Sequence, residues 1–214
     1  RLHSSFLASV GSSGQMKFQI FLADGKSVSL TTALGMKLND GLEHDVSIRV
    51  NDGRLVITID GDIAGQTAVS GTLPTSGTAD LTFGNAWGKP NFAGDISAFE
   101  IKVDVDDYKA GPHIAALLTE PVKPITSEPV IAPVEQQDAA QQVAALHEDL
   151  TEHVLDIKGL AGSKTALLDD AKVVQTADGP VIHLDGDKDH VNLGRMVDME
   201  QSEKVAFSVD FSRD

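Results

Sequence analysis

Cysteine is absent from the 214 residues, which excludes disulfides and thiolate metal sites without fixing the compartment. Aromatic residues make up only 5%, with one tryptophan, Trp87, and one tyrosine, Tyr108, so stacked-ring ligand platforms have little material. Basic residues are outnumbered, 17 against 32 acids, giving a formal charge of −15. That balance argues against nucleic acid and anionic membrane surfaces as partners, because both demand basic patches; cations and neutral or basic partners suit the chain better. Long apolar runs are also missing, and nothing approaches the roughly 18 residues of a membrane span. The chain opens on Arg1 rather than on methionine or a signal peptide and so reads as a fragment or processed product. A cysteine-free, acidic β sequence rich in Gly, Asp and Thr suggests a secreted bacterial protein, extracellular or at the cell surface.

What is present begins with short strands between Gly, Asp and Asn turns. Met16–Leu22, the turn Ala23-Asp24-Gly25-Lys26 and Ser27–Thr31 form one hairpin signal. His44–Val50, the turn Asn51-Asp52-Gly53-Arg54 and Leu55–Asp60 form a second. Ala79–Gly84 and Gly94–Val103 extend the series, and their spacing predicts an antiparallel sandwich with one dry and one wet face per sheet. Phe18, Ile20, Val46, Ile48, Ile57, Ile59, Phe83, Phe99, Val191, Phe207 and Val209 are the expected core.

From Gly111 to about Gln137 the composition changes, with prolines at 112, 121, 124, 129 and 133. This spacing predicts an extended connector. Val143, Leu146, Leu150, Val154 and Ile157 then recur at intervals of three and four, which predicts one amphipathic helix ending at Gly159. Strands resume at Ala171–Gln175, Val181–Leu184, His190–Leu193 and Val205–Phe211. The expected organisation is a sandwich portion over 1–108, a Pro-rich linker over 109–141, the amphipathic helix and a connector over 142–169, and a second sandwich portion over 170–214.

The order of motifs carries a resemblance. Leu184-Asp185-Gly186-Asp187-Lys188-Asp189-His190-Val191-Asn192-Leu193-Gly194 is followed by Phe207-Ser208-Val209-Asp210-Phe211. Elsewhere stand Asp40-Gly41-Leu42-Glu43-His44-Asp45-Val46, Ile57-Thr58-Ile59-Asp60-Gly61 and Phe92-Ala93-Gly94-Asp95-Ile96. Together, over roughly 150 residues, they resemble the laminin G-like and concanavalin A-like jelly-roll domains, whose fold the resemblance implies. One departure matters: residues 1–105 look like the C-terminal portion of such a domain and 170–214 like its N-terminal portion. Joining Asp214 to Arg1 reads as two consecutive strands with a polar turn. Neighbouring repeats cut mid-domain, one permuted or nicked domain, and halves completing each other between chains all fit this order. A half-sandwich alone exposes an apolar face and unpaired edges, so the halves are expected to pair.

Asp185, Asp187 and Asp189 alternate with Gly186 and Lys188 and form a candidate hard-cation loop, with calcium as the ion. The EF-hand pattern fails, since His190 stands where its glycine belongs, and the plain alternative is a solvated turn. The resemblance implies calcium at the sandwich rim, where Asp60 and Asp62, with Asn85, are alternative donors. His147 and His153 do not make a zinc helix, because Thr151 stands where H-E-x-x-H needs histidine. Asn85, Trp87, Lys89 and Asn91 lie between two expected strands and form a candidate glycan or protein contact; the plain alternative folds Trp87 onto the core. Tyr108-Lys109-Ala110-Gly111 resembles part of the catalytic strand of jelly-roll alginate lyases, and Glu100, Asp104 and Asp106 share a parity, but no catalytic cluster is assigned.

The leading expectation is a non-catalytic module that recognises glycan or extracellular protein, with calcium as the possible cofactor. A structural repeat or spacer of a surface or filament protein, self-associating through complementary halves or the 142–157 helix, is the alternative. Polysaccharide cleavage is the third.

Overall fold

The computed structural model describes residues 6–51, 53–72, 80–84, 92–103, 151–163, 166–195 and 205–213. Their strands run β1 (Phe6–Val10), β2 (Met16–Phe21), β3 (Ser27–Thr31), β4 (Glu43–Asn51), β5 (Arg54–Ile59), β6 (Asp62–Ala68), β7 (Asp80–Phe83) and β8 (Ala93–Val103). After the Pro-rich stretch come β9 (Thr151–Val154), β10 (Leu167–Leu168), β11 (Lys172–Gln175), β12 (Pro180–Asp185), β13 (His190–Arg195) and β14 (Val205–Arg213). The turn chemistry read from the sequence sets the connections. Asp60 and Gly61 both take positive φ, 53° and 85°, as a two-residue hairpin between β5 and β6 requires.

The large sheet has the order β11-β12-β8-β14-β4-β5-β6, with β9 adding to β8, and every pairing in it is antiparallel. Two three-stranded sheets, β1-β2-β3 and β10-β13-β7, share a core with it. Alternation explains why. Val46, Ile48 and Val50 of β4, Leu55, Ile57 and Ile59 of β5, and Phe207 and Phe211 of β14 are buried, and so are Met16, Phe18 and Ile20 of β2 and Val191 and Leu193 of β13. Ring contacts join the layers: Phe6 lies 4.5 Å from Phe207, and Phe83 lies 4.8 Å from Phe99 edge-on.

The last strand lies in the middle of the large sheet rather than at its edge. β14 pairs with β4 on one side, where Phe207 faces Ile48, and with β8 on the other, where Val209 faces Phe99. Its far end is tied down as well, since the Arg213 guanidinium donates to the carbonyls of Val10 and Gly11 beyond β1. Sequence-distant segments thus build one continuous sheet within one chain.

The amphipathic helix expected to end at Gly159 is corrected over its described part. Thr151–Val154 is a strand paired with β8, Val103 opposite Thr151 and Glu100 opposite Val154, and a single 3-10 turn follows at Lys158–Leu160. The edge of β8 offers backbone partners that a helix here would leave unmet. Leu155, Ile157 and Leu160 are buried in the sandwich core, so tertiary packing overrode the three-and-four spacing. Residues 142–150 and the linker at 109–141 lie outside the described residues. No described helix is long and apolar enough to cross a membrane.

Candidate functional site

One end of the sandwich collects acids, because the start of β4, the end of β5, the start of β8, the end of β12 and the end of β14 all reach it. At one corner the turn from β12 to β13 folds around Asp189. Its carboxylate is 1% exposed and accepts the backbone N–H of Asp185 at 2.6 Å and of Gly186 at 3.1 Å, while Asp187 N–H donates to Asp185 Oδ1 at 2.8 Å. Gly186 and Lys188 take positive φ, 86° and 69°, to complete the curl. Asp170, ahead of β11, is brought to the same point: carboxylate oxygens of Asp170, Asp185 and Asp189 lie within 4.8 Å of one another. Partial desolvation, then the negative charges of Asp185 and Asp189, push the Asp170 carboxyl above its ordinary range.

These three residues suit a hard cation. All the donors are oxygen, and each carboxylate has about four lone-pair sites, so the two N–H bonds to Asp189 leave room for an ion. Three protein ligands are fewer than the six to eight that calcium takes, and the remainder would come from water or a bound ligand. Asp187, part of the candidate loop by sequence, is exposed and does not join the group. Asp170 was missed because its proximity depends on the β10-to-β11 connection and no local motif announces it.

A second corner, at the start of β4, lies three strands along the sheet from β12, or about 14 Å at ordinary strand spacing. Here His44 stands between two carboxylates, Nδ1 at 2.8 Å from Asp60 Oδ2 and Nε2 at 3.1 Å from Asp40 Oδ1. Asp60 Oδ1 also accepts the N–H of Asp45 at 3.0 Å. Burial works against charge on the imidazole, but the bonds and charges of Asp60 and Asp40 outweigh it and raise the His44 pKa above 6.5. Asp40 moves the other way: the Leu42 N–H and then His44 hold its carboxyl below the usual value. Asp60 is therefore engaged in a structural pair, and Asp62, exposed at the start of β6, forms no metal-ligand group with it among the described residues.

The face of the large sheet turned away from the core is polar and hollowed. A cavity of about 430 Å³ lies over β8, β14, β4 and β5. Glu100, Ser208, Ser47 and Thr58 stand opposite one another across these four strands. One step along, Asp210 faces Asp45, and a step the other way lies Arg49. Desolvation, followed by repulsion from Asp45, Glu43, Glu100 and Asp60, raises the Asp210 carboxyl pKa. Burial presses against the Arg49 charge, which Asp45 supports. Glu100, considered above only for its parity with Asp104 and Asp106, belongs to this face; the other two lie outside the described residues.

Asn85, Trp87, Lys89 and Asn91 lie outside the described residues, but the base of their loop does not. Phe92 N–H donates to Gly84 O at 2.9 Å, closing it, and Phe92 packs edge-on against Phe211 at 5.4 Å. A Cβ on Gly84, whose φ is 93°, would meet Asp189 O at 2.9 Å. The base of this loop and the acidic turn are therefore direct neighbours. Residues 3–103 match the family model described as the Laminin G domain. No curated protein and no solved structure matches the chain.

Proposed function

We propose, from the match of residues 3–103 to the laminin G domain family model, that the chain is a non-catalytic recognition module of a larger secreted bacterial protein. Laminin G domains are in general binding and adhesion modules. The module binds an extracellular glycan or protein at the acidic end of its sandwich, with calcium held by Asp170, Asp185 and Asp189. The observation that carries this reading is the convergence of those three carboxylates beside the base of the Asn85–Asn91 loop. Calcium would supply open coordination positions that a ligand hydroxyl or carboxylate can enter; Trp87 and the neighbouring amides would provide the rest of the contact. We also read the chain as carrying the family's second half before its first, an order that the central place of β14 suits.

Binding to immobilised extracellular glycans and proteins, in calcium and in chelator, tests the proposal. Saturable binding that calcium supports and that Asp185→Asn and Trp87→Ala both weaken is the expected outcome. Binding indifferent to all three changes, or release of cleaved glycan, would overturn it.

A further inference from the structure

We propose that His44 is a proton-operated latch: with a proton on both ring nitrogens it holds the turn at 39–42 against the β5–β6 hairpin, and with one proton it releases that turn. The hydrogen-bond geometry requires the first state. An ionised carboxylate only accepts, and the ring meets one on each side, Nδ1 at 2.8 Å from Asp60 Oδ2 and Nε2 at 3.1 Å from Asp40 Oδ1. Both nitrogens must therefore donate, which only the imidazolium ion can do. Asp40 does not supply the proton in its place, because the Leu42 N–H and then His44 hold its carboxyl below the ordinary range.

Asp60 from the hairpin and Asp40 from the turn are the charged groups that bear on the ring. Asp62, at the start of the strand that follows the hairpin, is exposed. β14 places the apolar Phe211 opposite His44. On β4 itself Glu43 and Asp45 alternate to the other face; the Ser97 hydroxyl donates to Glu43, and the Asp45 N–H donates to Asp60.

Loss of one proton leaves a single N–H for two carboxylates. Asp60 keeps it, since its bond is the shorter and its other oxygen is fixed by the Asp45 N–H at 3.0 Å. Nε2 then turns a lone pair on the Asp40 carboxylate, and the contact becomes repulsive. The turn answers by moving. Asp40, Gly41 and Leu42 are exposed, and Gly41 takes a φ of 80°. The anchors lie before them: Leu38 is buried and its N–H donates to Gly14 O at 2.9 Å, and Asn39 Nδ2 donates to Ser12 O at 3.1 Å. Leu42, 62% exposed, is displaced with Asp40. Burial opposes the His44 charge but Asp60 and Asp40 outweigh it, so release comes as pH rises through a folded value above 6.5. The latch uses none of the calcium-corner residues and stands independently of the recognition role.

The test is heteronuclear NMR of the nitrogen-labelled whole chain from about pH 5 to about pH 9, following the His44 ring nitrogens and the backbone order of Gly41 and Leu42. In the wild type Nε2 is expected to lose its proton while Nδ1 keeps one, and Gly41 and Leu42 to lose order with the same midpoint. Asp40→Asn should abolish the response. Its carboxamide offers oxygen to the imidazolium and N–H to the neutral ring, so the turn stays ordered across the range and the His44 midpoint falls. His44→Gln, which has no proton to lose, should likewise leave Gly41 and Leu42 unchanged with pH; either variant suffices should the other fail to fold. Gly25, in the β2–β3 turn, is the reference for general alkaline loosening and should not respond. The proposal is overturned if the turn keeps its order through the His44 midpoint, or if Nδ1 rather than Nε2 loses the proton. A wild-type response in Asp40→Asn or His44→Gln, or loss of order at Gly25 in step, overturns it equally.

Discussion

Two acidic corners at one end of the same sandwich treat their charge in opposite ways. At His44 the carboxylates of Asp40 and Asp60 enclose an imidazole, and the Asp40 pKa falls. At Asp170, Asp185 and Asp189 carboxylates face one another, and the Asp170 pKa rises. Acid density is similar to the eye and different in consequence. A corner with its own cation is a structural clasp, whereas a corner where like charges converge holds repulsion that a bound cation would relieve.

The largest break in this comparison comes from Asp189, the buried carboxylate of the corner it shares with Asp170 and Asp185. Asp189→Ala removes the acceptor of two backbone N–H groups and should cost about 3 kcal/mol in denaturant unfolding, with or without calcium. His44→Ala should cost about 2 kcal/mol at pH 5 and distinctly less at pH 9.

The pH dependence follows from the directions of the shifts. His44, raised above 6.5 in the folded state, contributes stability fully present below pH 6.5 and lost as pH rises through its folded pKa. Asp40, lowered from 3.8, contributes stability present above pH 3.8 and lost as pH falls through its folded pKa. Asp170 reverses the sign of its counterpart: its raised carboxyl favours the folded state below pH 3.8, and this is lost as pH rises through the folded value. In chelator, Asp170→Asn should therefore raise the unfolding midpoint near neutrality while His44→Ala lowers it. Opposite signs in one thermal series would sharpen the contrast, and equal signs would break it. The smallest effect belongs to Asp187→Asn, expected within about 0.5 kcal/mol of wild type because its exposed side chain stands outside the group.

Much of the sheet structure was legible because alternation and turn residues agree locally. Met16–Leu22 with Ser27–Thr31, and His44–Val50 with Leu55–Asp60, appear as β2–β3 and β4–β5 with ends shifted by a residue or so. Phe207 and Phe99 were legible as core for the same reason. Residues 151–157 were not, since a spacing of three and four there also serves a short strand and a turn, and only the free edge of β8 decides between them. The candidate site was legible in part. Asp185 and Asp189 announced themselves by alternation, but the sequence could not show that Asp189 turns inward to tie the loop and Asp187 outward. Asp60 looked like a donor at the rim until His44, sixteen residues away, was found bonded to it. The groove escaped notice altogether, because a row formed by Glu100, Ser208, Ser47 and Thr58 exists only once β14 lies between β8 and β4.

Calorimetric titration of calcium into the chelator-treated chain, with Asp170→Asn titrated in parallel, addresses the proposed role most directly. One saturable site in the wild type, lost or severely weakened in the variant, is the predicted result. No binding heat, or the same isotherm from both proteins, would contradict a calcium centre at the acidic turn and leave that corner a solvated loop.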